Sequence, residues 1–201
     1  DNPLGRSILG SPQNIIQFDA PMIKQFFSRL YQPERIVISA AGKLDHHHLV
    51  DLVQPAFETI KPGNGFPQRS TPQGCSVVDL THRDLEQMHI CLSAKGLSIT
   101  DPRRYTFSLL NTILGGNMSS RLFQEVREKR GLAYSVYSFI SSNGDTGMFG
   151  VYVGVAPKRA QETTRLVLDE IHRQRIERVE SSELEGPNEY TKSGLLLASE
   201  S

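Results

Sequence analysis

The sequence predicts an α+β fold in which a mostly antiparallel sheet is covered by helices. Three observations predict it. Two strand-like runs, 133–141 and 147–155, flank an Asn143-Gly144 turn and read as a hairpin. Helical patterns come in consecutive pairs instead of alternating with strands, which argues against a doubly wound parallel sheet. A Pro- and Gly-rich stretch, 61–74, holds three prolines and three glycines and reads as a linker behind a short α/β segment.

Within residues 1–60, Asp19 is placed to cap a helix with Pro21 in its first turn. Met22, Ile23, Phe26, Phe27, Leu30 and Tyr31 form its apolar stripe. Residues 35–42 (Arg-Ile-Val-Ile-Ser-Ala-Ala-Gly) read as a buried strand. A second helix starts near Asp45, with Leu49, Leu52, Val53, Ala56 and Phe57 on one face. One strand has nothing in this segment to pair with, so 1–60 is expected to be the tail of a domain that begins upstream.

Beyond the linker, residues 75–201 supply strands at 75–80 and 87–94. In the second, Met88, Ile90 and Leu92 alternate with His89, Cys91 and Ser93. Asp101-Pro102 opens a helix that Gly115-Gly116 stops. Ser119 or Ser120 caps a short helix that Gly131 ends, and the hairpin follows. A long helix after Pro157 carries Ala160, Thr164, Val167, Leu168 and Ile171 inward. Ser182 with Glu185 fits a capping box for a last helix. In that helix Glu185-Gly186-Pro187 is an interruption, and it predicts a later start or a kink.

Composition narrows the function. The 201 residues are 38% hydrophobic and 22% charged, a globular profile. Lys+Arg and Asp+Glu both number 22, so the net charge is zero, which argues against a nucleic-acid or anionic-membrane module. No apolar run approaches the ~20 residues of a membrane span. Two cysteines make no disulfide framework, and Cys91 reads as a packed strand residue.

Chemistry-bearing motifs are few. His46-His47-His48 falls in a helix's first turn, where adjacent side chains diverge, so a solvated helix start is the plain reading. No two of the six histidines are four apart, so neither His-Glu-x-x-His nor its inverse occurs. The run Arg127-Glu128-Lys129-Arg130 is interrupted by acids, and Glu125 with Lys129 forms an i,i+4 pair. One constellation stands out: Arg127 near the end of a short helix, Gly131 closing it, and Tyr134 opening the next strand. A permanent cation and a phenol donor at one corner could receive a developing oxyanion, although an arginine near a tyrosine is common.

The stretch Leu114-Gly-Gly-Asn-Met-Ser-Ser-Arg-Leu-Phe-Gln-Glu-Val-Arg-Glu-Lys-Arg-Gly-Leu-Ala-Tyr-Ser-Val-Tyr-Ser138 resembles the pitrilysin/insulinase-type zinc metallopeptidases, nearest their bacterial, mitochondrial-processing-peptidase-like branch. Pro3-Leu-Gly-Arg-Ser-Ile-Leu-Gly10, Gln87-Met-His-Ile90, Asp145-Thr-Gly-Met-Phe149 and the final Leu195-Leu-Leu-Ala-Ser-Glu-Ser201 resemble it too. The resemblance implies two related α/β domains closing on a peptide or unfolded polypeptide. Their zinc is held by an inverted His-x-x-Glu-His helix and a later glutamate of the first domain.

The resemblance places all of those ligands upstream of residue 1. Residues 1–60 then correspond to the C-terminal part of the first, zinc-type domain, 61–74 to the linker, and 75–201 to most of the second, substrate-clamping domain. Zinc is implied for the parent enzyme and no metal for this part alone. Arg127 and Tyr134 match the family's arginine and tyrosine, which implies a role in holding the scissile carbonyl and stabilising the tetrahedral intermediate. The family also implies pairing, either as a homodimer or with a second subunit. Its alternatives are a non-catalytic partner subunit and a structural assembly module. Substrate preference and compartment are left open.

Overall fold

The computed structural model describes residues 2–63, 65, 68 and 70–200. The chain divides into two compact units, Asp1–Pro72 and Gln73–Ser201.

The first unit is helical. Helix α1 (Pro12–Ile16) is capped by Ser11, and α2 (Ala20–Leu30) by Asp19, whose carboxylate accepts the Met22 N–H at 2.8 Å. Helix α3 (His46–Phe57) is capped by Asp45, which accepts the His48 N–H at 2.9 Å. These caps occupy orphan donors of the first turn, which is why each helix starts where a local residue dictates. The expected strand at 35–42 does not form: Pro33–Arg35 is a 3₁₀ turn and no ladder follows. A strand needs a hydrogen-bonded neighbour, and the described residues of this unit supply none. No described residue here is buried, and the apolar stripe of α2 is open to solvent, with Phe27 stacked on Tyr31 at 4.1 Å.

The second unit is α+β, as the hairpin and paired helices predict. Strands β1 (Met88–Lys95), β2 (Ala133–Ser142) and β3 (Gly147–Val155) form an antiparallel sheet in the order β1-β3-β2. The expected strand at 75–80 is absent, and Val78 is 96% exposed there. That run has the right residues and no partner, so its side chains stay in water. The register sets Ile90 against Val153, Leu92 against Val151 and Val136 against Val153. Because side chains alternate along a strand, Ile90, Leu92, Val136, Val151, Val153 and Val155 share one face. Cys91, expected to pack, points to the opposite face and is exposed opposite Tyr152.

Helices cover the valine face. Helix α4 (Arg104–Leu114) starts later than Asp101-Pro102 predicts, because Asp101 folds its carboxylate onto the Arg103 N–H at 2.9 Å and onto its guanidinium at 2.8 Å. That pairing holds Asp101 down to about 2. At the other end, Gly115 does more than stop the helix. Its carbonyl accepts the Ser138 N–H at 3.0 Å, and a Cβ there would lie 2.5 Å from the Ser138 nitrogen. Only glycine lets α4 reach the edge of β2 so closely.

After α4 the chain makes a turn in which the Ser120 hydroxyl donates to the Asn117 carbonyl at 2.6 Å and the Ser120 carbonyl accepts the Gln124 N–H at 2.9 Å, directly before the helical turn that begins at residue 121. The expected short helix is a π-helix, Phe123–Glu128, marked by the Lys129 N–H bonding the Gln124 carbonyl five residues back. Leu122 and Val126 are fully buried against the sheet. Gly131, at φ +56°, turns the chain into β2, with its N–H on the Arg127 carbonyl and that of Leu132 on the Val126 carbonyl.

Helix α5 (Ala160–Ile176) buries Val167 as expected, together with Thr163 and Glu170, while Leu168 is exposed. Ala160 and Ile171 pack half-buried against the core as expected, so of the predicted stripe only Leu168 faces solvent. Glu170 lies 3.2 Å from Arg173, and burial pushes its carboxyl up. Helix α6 (Ser181–Glu200) corrects the expected interruption: it starts at Ser181 and runs through Pro187. Proline there forfeits a single bond near the helix start. That first turn is anchored by Arg121, whose guanidinium donates to both Glu183 oxygens at 2.6 Å. No described helix is long and apolar enough to cross a membrane.

Two outcomes are expected. Gly131→Ala retains space for its methyl but forces a left-handed backbone, so it should cost about 1–2 kcal/mol. Urea unfolding followed by circular dichroism would show a lower midpoint at unchanged slope; an unchanged midpoint refutes the assignment. For Glu183, the Arg121 hydrogen bonds hold the carboxyl below its usual 4.5. Its contribution is then present above that value and lost as pH falls through the lowered one. Glu183→Gln should therefore be less stable than the parent at pH 7, with the gap closing on acidification. A gap that stays constant down to pH ~3 would contradict the pairing.

Candidate active site

Arg127 and Tyr134 come together at the corner between the π-helix and β2. The buried Leu122 and Val126 fix the rotation of the π-helix. Arg127, one position past Val126, is thereby turned outward with its side chain 42% exposed. Gly131 then reverses the chain. At the start of β2 the ladder slips: Ala133 pairs with Val155 and Ser135 with Gly154, leaving Tyr134 as the extra residue. Such an irregularity re-aims a side chain that strict alternation would commit to one face. Tyr134 is 77% exposed, and the Arg127 guanidinium carbon lies 5.7 Å from its ring centroid.

Both side chains line one open cleft of about 570 Å³, whose wall includes Gln87, Gly131, Leu132 and Gly154. The pair predicted from sequence therefore shares a single site. The Arg127 contact is to the tyrosine ring, while the Tyr134 hydroxyl has no hydrogen-bond partner among the described residues. The nearest carboxylate to Arg127 is Glu128, with Nε to Oε1 at 3.9 Å and both groups exposed, a weak attraction in water. Glu125 is occupied elsewhere: it takes Lys129 and Arg130, which hold its carboxyl below the usual range. The basic run is thus an ion-paired helix face, and Arg127 is the cation left facing the cleft.

Two residues of this corner were not singled out from sequence. The Phe123 ring centroid lies 4.7 Å from the Arg127 guanidinium carbon. Its signal was the Phe-x-x-x-Arg spacing, which puts both on neighbouring turns. Gln87 lines the cleft beside Gly154, where a Cβ would stand 3.1 Å from its amide oxygen.

Among the described residues, no three His, Cys, Asp or Glu side chains converge in a way that could hold a metal ion. His46, His47 and His48 are exposed on the first turn of α3, with the His46 and His47 rings nearly perpendicular, as a solvated helix start would have them.

Comparison with known proteins agrees with this fold. The model of the peptidase M16 inactive domain matches residues 17–186. A protein named an uncharacterised zinc protease in Streptomyces coelicolor is 44% identical over 179 residues, covering 85% of this chain and 39% of its own. One so named in Bacillus subtilis is 35% identical over 201 residues, covering all of this chain and 49% of its own. The chain thus spans less than half the length of these curated relatives. Among solved structures, a peptidase M16 inactive domain from Pseudomonas fluorescens superposes with a TM-score of 0.80 at 23% identity, covering 93% of this chain and 46% of that one. With a family model running through most of its length, over a helix-covered antiparallel sheet of the same fold, the chain belongs to the peptidase M16 inactive-domain family.

Proposed function

We propose that this chain is part of a zinc-dependent metalloendopeptidase, and that it supplies the half of the active site that grips a peptide carbonyl in the transition state. In this reading 1–60 is the C-terminal part of the zinc-type domain, 61–74 the linker and 75–201 most of the substrate-clamping domain. The relatives named zinc proteases, in which the match covers 39% and 49% of the length, support it. The observation that carries it is the convergence of the Arg127 guanidinium and the Tyr134 phenol on one open cleft.

Peptide hydrolysis passes through a tetrahedral species whose former carbonyl oxygen gains a full charge. Donors aimed at that oxygen bind the transition state better than the substrate, and this difference is what accelerates the step. Arg127 offers a planar fork of N–H donors and a permanent positive charge. Tyr134 offers one O–H that no described group occupies. Glu86, Leu132, Ala133 and Gly154 line the same open cleft. The described residues of this chain do not fit a zinc site, so no step is assigned to a metal held by them. Activation of the attacking water falls to residues outside this chain, and a bound peptide is the partner both halves would share.

The test uses the full-length protein. Arg127→Ala and Tyr134→Phe should each lower kcat by about 10²–10³-fold, the cost of losing one oxyanion donor, while zinc content stays that of the parent. The 201-residue chain alone, given zinc, should turn over no peptide. Unchanged kcat in both variants would remove the catalytic role and leave a structural assembly module as the reading.

A further inference from the structure

Arg127 is poorly restrained by charge. Its carboxylate neighbour Glu128 is 3.9 Å away and exposed, and Glu125, two residues before Arg127, is taken by Lys129 and Arg130. A long exposed arginine with so weak an ion pair would sample many rotamers, at an entropic cost whenever it had to be placed. What does hold it is a ring. Phe123 is half-buried, its centroid lies 4.7 Å from the guanidinium carbon, and Tyr134 sits at 5.7 Å. Both distances fall within the ~6 Å over which an aromatic face attracts a cation.

The π-helix makes this arrangement rigid on the phenylalanine side. Leu122 and Val126, four apart and fully buried, pin the inner row of the segment. Phe123 and Arg127, also four apart, form the next row, so the rotation that buries the first pair lays the second side by side, with Arg127 lining the cleft. Phe123 has no polar atom and cannot donate to a substrate oxygen.

We infer that Phe123 is a positioning residue: its ring is the platform that holds the Arg127 guanidinium at the cleft. The inference rests on the proposed role of Arg127 and Tyr134 above. A leucine at 123 would fill much of the same space without the negative ring face, whereas tyrosine or tryptophan would preserve it.

The experiment is a double-mutant cycle in the full-length protein. Phe123→Leu should lower kcat about 3–30-fold with KM little changed, Phe123→Trp should restore it, and in an Arg127→Ala background Phe123→Leu should have no further effect. In NMR spectra of the full-length protein, the upfield ring-current shift of the Arg127 Cδ protons should shrink in Phe123→Leu and persist in Phe123→Trp. If Arg127→Ala leaves kcat intact, the oxyanion reading fails and takes this inference with it. If Arg127→Ala cripples the enzyme but Phe123→Leu does not, or lowers kcat equally in both backgrounds, the platform alone is refuted.

Discussion

Burial of Leu122 and Val126 against the sheet valines is the constraint from which the rest of the second unit follows. Two fully enclosed side chains four residues apart leave a helical segment no freedom to rotate. Everything on its other rows is then set by covalent geometry. Arg121 faces α6 and ties it down through Glu183, Glu125 gathers the surplus cations, and Arg127 is directed to the cleft. The antiparallel register does the same for the strands, because one slip would exchange Val151 and Val153 with Tyr152.

The charge pattern around the corner is a matter of competition for carboxylates. Arg121, Lys129 and Arg130 each have a close partner, and both of the carboxylates concerned, Glu125 and Glu183, are held in their ionised form by the hydrogen bonds they accept. Arg127 loses that competition and rests against aromatic rings instead. An arginine bound tightly to an acid would have its donors occupied. One lying on hydrocarbon keeps them available, at the price of weaker restraint. Glu170 shows the opposite case, a carboxylate buried beside Arg173 whose ionised form burial disfavours.

What could be read from the sequence was what local chemistry decides. Asp19 and Asp45 cap helices whose starts they announce, Gly131 marks the reversal, and Asn143-Gly144 marks the hairpin. Spacing puts Arg127 and Tyr134 near one helix-to-strand corner, and the resemblance carried by 114–138 is what singles them out. The failures share a cause. Residues 35–42 and 75–80 have strand composition, but a strand exists only with a partner, and composition does not say whether one is present. The π-turn was hidden because its extra residue leaves no mark in hydrophobic periodicity, while the Phe123 contact left only the Phe-x-x-x-Arg spacing as a trace. Pro187 misled for the reverse reason: tertiary anchoring of the first turn of α6 outweighs a local penalty.

The slip at Ala133/Ser135 carries a consequence for how this corner can vary. A regular strand locks every side chain to its predecessor, so a change of aim at one position propagates along the whole ribbon. Here the extra residue uncouples the two stretches. The hairpin downstream keeps its phase through Val136, while the segment upstream answers to Gly131 and the helix before it. Mutational drift on either side is thereby absorbed at a single joint, and the direction in which the phenol points is inherited from neither neighbour.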